Sequence, residues 1–143
     1  MLFRSSIATK QRIFAKETQR MANILVLDDV IEIAQLIRAI LEKQGHAITI
    51  FTEEEEALSY ARANAIDLAI LDIKLKKMSG IEVLAELKKI NPAVRVIMLT
   101  GYPTMESARE CLRLGAAEYC VKPFDKFELE EKVSRALGAE RAI

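Results

Sequence analysis

Apolar runs of strand length alternate five times with stretches of helical period along this chain of 143 residues, and that alternation leaves few folds open to it. The runs are Ile24 to Leu27, Ala47 to Phe51, Leu68 to Leu71, Val94 to Leu99 and Tyr119 to Val121. Most are apolar at every position rather than at every second one, as in parallel strands covered on both faces. Parallel neighbours need crossover connections, and these are right-handed and usually helical. The pattern therefore predicts an α/β fold with a doubly wound parallel sheet.

The helical stretches have readable ends. The first carries Ile33, Leu36, Ile37, Ile40 and Leu41 as one apolar stripe and stops at Gly45. The second covers about residues 53–64. Thr52 and Glu55 have capping-box spacing, and Glu53 to Glu56 put negative charge where the helix macrodipole favours it, so this acidic run needs no metal to explain it. The third covers about 81–90 before Asn91 and Pro92, and the fourth about 104–114 before Gly115. The fifth, about 126–137, offers Leu129, Val133, Ala136 and Leu137 to the core. Five such units suit the flavodoxin-like (βα)5 arrangement with strand order 2-1-3-4-5. Ligands of these sheets bind at the carboxyl ends of the strands where the order reverses, here between strands 1 and 3.

A chain of this length with 51% hydrophobic residues can bury one sizeable core. The domain is assigned to residues 22–139, with 140–143 as a tail. Residues 1–21 read as a basic extension, expected to be disordered, in which Arg4, Lys10, Arg12, Lys16 and Arg20 face only Glu17. A leader or an upstream start accounts for it, because Met21 directly precedes the first strand. Basic and acidic residues number 21 each, so no global field draws the chain to nucleic acid or membrane. No apolar run approaches a membrane span. Cys111 and Cys120 read as small packing groups of a cytoplasmic protein rather than a disulfide framework. The single histidine, His46, reads as a loop surface residue, so any metal site must rest on carboxylates.

Polar groups stand at four of the five strand ends: Asp28 and Asp29 after strand 1, Asp72 after strand 3, Thr100 after strand 4, and Lys122 with Pro123 after strand 5. Three carboxylates on adjacent central strands repel one another unless a cation sits among them, and an all-oxygen site suits Mg²⁺ or Mn²⁺. Lys122 offers a compact positive charge and Thr100 a hydroxyl to the oxygens of a phosphoryl group. With no Cys, Ser or His on this rim, an aspartate is the nucleophile.

The motifs Ile24-Leu-Val-Leu-Asp28-Asp29, Asp67-Leu-Ala-Ile-Leu-Asp72-Ile-Lys-Leu-Lys-Lys-Met-Ser-Gly80, Val96-Ile-Met-Leu-Thr100-Gly101 and Gly115-Ala-Ala-Glu-Tyr119-Cys-Val-Lys122-Pro123-Phe124 occur in order. From about Asn23 to Leu137 the chain resembles the receiver domains of bacterial response regulators, the group that includes the chemotaxis regulator. That resemblance implies Asp72 as phosphoacceptor, with Thr100 and Lys122 binding phosphoryl oxygens. It implies Asp29 as direct carboxylate ligand of Mg²⁺, Asp28 as its neighbour acting through water, and the backbone carbonyl of Lys74 as a further ligand beside Asp72. It implies a cis Lys122–Pro123 peptide and Tyr119 as the aromatic that couples Thr100 to the face of helix 4, strand 5 and helix 5. Lys74 and Tyr102, two positions beyond the acceptor and the threonine, are bulky and border the path of attacking water, which predicts a slowly hydrolysing phospho-aspartate. Lys76 stands where relatives often carry proline.

The function expected is that of a signalling switch rather than an enzyme: it takes a phosphoryl group from a histidine kinase or a histidine phosphotransfer protein, catalysing its own phosphorylation, and passes the signal to a downstream target protein. The chain stops six residues after Leu137, which leaves output to another molecule; a monomer or a phosphorylation-dependent dimer both fit. Two alternatives share the rim. A haloacid-dehalogenase-type phosphatase would use Asp28 as nucleophile, but Val30 stands where it needs a second aspartate. A pseudo-receiver would act independently of phosphorylation, yet the acceptor and the lysine are both present. A flavin-binding flavodoxin is disfavoured by the Asp-Asp-Val turn after strand 1, which lacks the small and hydroxyl residues of a phosphate cradle.

Overall fold

The computed structural model describes residues 21–138, so the expectations for residues 1–20 and for the 140–143 tail lie outside the described residues. Five strands and five helices alternate: β1 (Asn23–Leu27), α1 (Ile31–Glu42), β2 (Ala47–Phe51), α2 (Glu54–Ala63), β3 (Leu68–Asp72), α3 (Gly80–Ile90), β4 (Arg95–Thr100), α4 (Met105–Arg113), β5 (Glu118–Val121) and α5 (Lys126–Ala136). All strand pairs are parallel, in the order β2-β1-β3-β4-β5. The expected doubly wound, flavodoxin-like architecture is the one observed.

The apolar runs divide between two cores because the pleat sends successive side chains to opposite faces. Leu25, Leu27, Ala69, Leu71, Val96 and Met98 pack under α2, α3 and α4. Ile24, Val26, Leu68, Ile70, Ile97 and Leu99 pack under α1 and α5. All of β3 is buried, including Asp72, because it lies at the centre of the sheet with helices on both sides. Ser79, Thr104 and Asp125 cap α3, α4 and α5 by accepting hydrogen bonds from the amides of Ile81, Ser107 and Glu128. Gly45 and Gly115, both at positive φ, end α1 and α4 as expected.

Three expectations need correction. Leu36 is 53% exposed; the buried stripe of α1 runs through Ala34, Ile37, Ile40 and Leu41, since at 3.6 residues per turn Leu36 falls on the solvent flank and Ala34 on the core side. Thr52 does not cap α2: Glu53 occupies the N-cap position in extended conformation without a side-chain bond, so the helix starts one residue beyond what a Thr52–Glu55 box requires. His46 is buried rather than superficial. Its Nδ1 accepts a hydrogen bond of 3.1 Å from the Ala22 amide, which ties the α1–β2 turn to the start of β1, and burial holds its pKa below the ordinary value. Cys111 and Cys120 are free and buried, as read, and burial pushes the Cys120 thiol up to about 11. No helix among the described residues is long and apolar enough to cross a membrane.

Candidate functional site

Strand register assembles the site. Leu27 pairs with Leu71, so the next residues, Asp28 and Asp72, emerge side by side from the two central strands. Asp72 stands opposite Leu99, and Thr100 opposite Val121. The Lys122 amide donates to the Thr100 carbonyl at 2.8 Å, so the lysine enters the same rim from the far strand, just before a cis peptide bond to Pro123.

Carboxylate oxygens of Asp28, Asp29 and Asp72 lie within 4.8 Å of one another. Asp28 is fully buried and both of its oxygens are engaged: Oδ1 accepts from the Val30 amide at 2.9 Å, and Oδ2 from Lys122 Nζ at 2.8 Å. Asp72 is held more loosely, with Oδ1 3.5 Å from Lys122 Nζ and 3.4 Å from the Lys74 amide. Burial, with the charges of Asp28 and Asp29 adding to it, raises the Asp72 carboxyl from 3.8 to about 6 against the opposing pull of Lys122 and the Lys74 amide. One ammonium cannot neutralise three carboxylates, so the donor set fits a small hard cation with oxygen ligands.

Thr100 is buried beside this cluster and its Oγ1 accepts from the Tyr102 amide at 3.0 Å, which leaves the hydroxyl proton free to be donated elsewhere. Tyr119 is half-buried against the core under α3 and α4, and its hydroxyl lies 2.9 Å from Ser107 Oγ in the first turn of α4. Ser107 Oγ already donates to the Thr104 carbonyl at 3.1 Å. With its one proton used there it can only accept, so the Tyr119 hydroxyl is the donor. Lys74 and Tyr102 meet across the mouth of the site, the ammonium 4.2 Å from the ring centroid.

Three features escaped the sequence reading. Gly80 packs directly on the backbone of the central aspartate: a Cβ there would lie 2.0 Å from the Asp72 carbonyl oxygen and 2.8 Å from Ile73 Cα, and the Gly80 amide donates to the Ile73 carbonyl at 2.7 Å. A glycine opening a helix immediately after a Ser cap was the available signal. The Tyr119–Ser107 bond left no signal, because it joins residues on two elements that face one another only in the folded chain. Glu54, read only as one of four acids complementing the helix macrodipole, is buried to 2% exposure and its Oε1 accepts from the Lys77 amide at 3.2 Å.

A family model described as "Response regulator receiver domain" matches residues 24–134. The transcriptional regulatory protein ZraR of Escherichia coli (strain K12) is 34% identical over 121 residues, which cover 85% of this chain but 27% of that protein; the chain thus spans about a quarter of the length of that relative. Sporulation initiation phosphotransferase F of Bacillus subtilis (strain 168) is 33% identical over 80% of this chain and 92% of its own length. Among solved structures, a CheY-like receiver domain protein from Methanospirillum hungatei JF-1 superimposes with a TM-score of 0.81 at 33% identity, covering 87% of this chain and all of that one. A response regulator from Burkholderia pseudomallei carrying a phosphorylated aspartic acid and a calcium ion does so with a TM-score of 0.74 at 30% identity, covering 85% and 70%.

Proposed function

This chain belongs to the response regulator receiver domain family of two-component signalling, and on that premise we propose that it is switched by Mg²⁺-dependent transfer of a phosphoryl group from a phosphohistidine to Asp72. The observation that favours Asp72 over Asp28 is the unequal engagement of these two carboxylates, and Asp72 rather than Asp29 ends the central strand of the sheet. Asp28 has both oxygens in short hydrogen bonds and no exposure, whereas Asp72 has Oδ1 in two long contacts and, among the described residues, no partner at its other oxygen. This also counts against Asp28 as the nucleophile of a phosphatase. Asp29, Asp72 and the Lys74 carbonyl would hold the cation directly, with Asp28 acting through water. When bound, Mg²⁺ neutralises the carboxylates and withdraws charge from phosphoryl oxygens.

The remaining chemistry belongs to the chain itself. As an Asp72 oxygen bonds to phosphorus, the P–N bond of the donor breaks and the departing imidazole nitrogen keeps the electron pair. Lys122 pairs with a phosphoryl oxygen, and Thr100 donates its free hydroxyl proton to another. A threonine drawn toward the phosphoryl group vacates space beside β5, and Tyr119, released from Ser107, turns into it. The face read by a downstream protein is then that of α4, β5 and α5, where Met105, Leu112, Val121 and Phe127 are already exposed. Lys74 stacked on Tyr102 screens the approach of water, so the phospho-aspartate is slow to hydrolyse; Lys74→Ala should shorten its lifetime. The donor is a histidine kinase or phosphotransfer protein in the cytoplasm, the compartment that suits two free buried thiols.

Acetyl phosphate or beryllofluoride tests the assignment. Labelling in Mg²⁺ should vanish in Asp72→Asn and persist in Asp28→Asn at reduced rate. Label that survives in Asp72→Asn and vanishes in Asp28→Asn would establish the phosphatase reading, and a wild-type chain that takes no label with either reagent would leave a pseudo-receiver.

A further inference from the structure

The loop between β3 and α3, residues 73–79, leads away from the phosphoacceptor and includes the Lys74 carbonyl. Its two ends are fastened: the Ile73 amide donates to the Leu99 carbonyl at 2.9 Å, and the Gly80 amide to the Ile73 carbonyl at 2.7 Å. Leu75 and Met78 rest against the core, which fixes their depth but not the rotation of the peptides between them. Besides the bonds to the two flanking elements, from the Lys74 amide to Asp72 Oδ1 at 3.4 Å and from the Ile81 amide to Ser79 Oγ at 3.0 Å, one hydrogen bond among the described residues joins the interior of this loop to a further element, from the Lys77 amide to Glu54 Oε1. Glu54 is the first residue of α2 and is buried. Burying a polar side chain is unfavourable unless it gains a hydrogen-bond partner, and a helix start on the surface requires no such burial. The exposed contact between Lys77 Nζ and Glu53, 4.0 Å long, is too solvated to do the same work.

We propose that Glu54 is a positioning residue for the cation: by holding the Lys77 amide, its buried carboxyl sets the orientation of the Lys74–Lys77 peptides and so aims the Lys74 carbonyl into the carboxylate cluster. This rests on the reading of Asp28, Asp29 and Asp72 as a Mg²⁺ site. Supporting contacts of this kind change metal affinity by about tenfold or more when removed.

Mg²⁺ titration by calorimetry and amide exchange by NMR test it on the same samples. Glu54→Ala should raise the Mg²⁺ dissociation constant about tenfold, while Glu54→Gln, which keeps an acceptor at Oε1, should stay within about twofold of wild type. In the wild-type chain the Lys77 amide should exchange at least tenfold more slowly than that of Lys76, and Glu54→Ala should remove the difference. A folded Glu54→Ala with wild-type affinity, a glutamine variant as weak as the alanine one, or a wild-type Lys77 amide exchanging as fast as its neighbour would each overturn the proposal. Should Glu54→Ala fail to fold, the glutamine variant and the wild-type exchange pattern decide. A wild-type chain that binds no Mg²⁺ would sink the metal reading instead, and the Lys77 exchange rates would still decide whether Glu54 holds the loop.

Discussion

Asp72 and Lys122 make opposite contributions to stability, although they face one another. The surroundings of Asp72 oppose its charge on balance, as its elevation to about 6 records, so in metal-free buffer at pH 7.5 Asp72→Asn should stabilise the fold by about 1–2 kcal/mol. Lys122 is the cation paired with the buried Asp28, and Lys122→Met should destabilise by about 3 kcal/mol because it strands a desolvated carboxylate. Urea unfolding of the two variants checks both signs. Gly80→Ala should also cost about 3 kcal/mol, as backbone atoms of Asp72 and Ile73 must move from under the new methyl group, and phosphorylation of Asp72 should slow with it. These residues differ in how far the sequence disclosed them. Asp28, Asp29, Asp72, Thr100 and Lys122 could be read because each ends a recognisable strand. That Lys122 bonds to Asp28 more closely than to Asp72 could not, since strand ends say which groups share a rim and not which oxygen each nitrogen meets.

At the scale of elements, the first turn of α4 is where site and surface meet. Thr104 caps it, Ser107 closes the cap, and Tyr119 of β5 donates to that same serine. A double-mutant cycle of Tyr119→Phe and Ser107→Ala should show a coupling of about 0.5–1 kcal/mol in unfolding free energy, and beryllofluoride should abolish it if Tyr119 leaves Ser107 on activation. The sequence placed β5 and α4 within a residue or two, from an apolar run and from a helical stretch closed by Gly115. It misplaced the cap of α2: Thr52 and Glu55 satisfy a local spacing rule, but Glu53 occupies the N-cap position, and its neighbour Glu54 is held by a loop 23 residues away.

For the whole molecule, pH acts through His46 as well as through the carboxylates. Its folded-state pKa lies below the ordinary value, so the unfolded chain binds more protons in the window below pH 6.5, and this contribution to stability is complete above that window and declines as pH falls through it. Measured in an Asp72→Asn background, His46→Gln should lose less melting temperature between pH 7.5 and 5.5 than its parent. The sequence by itself determined the class of fold, its five βα units, their order and the rim that carries the chemistry, because period, strand length and strand-end residues are properties of neighbours along the chain. Only the tertiary structure decided that His46 and Glu54 are buried, that Gly80 must lack a side chain and that Asp28 is held more tightly than Asp72. Those depend on which atoms the closed sheet and its helices bring within 3 Å, and a polar side chain is desolvated only where several distant segments close over it together.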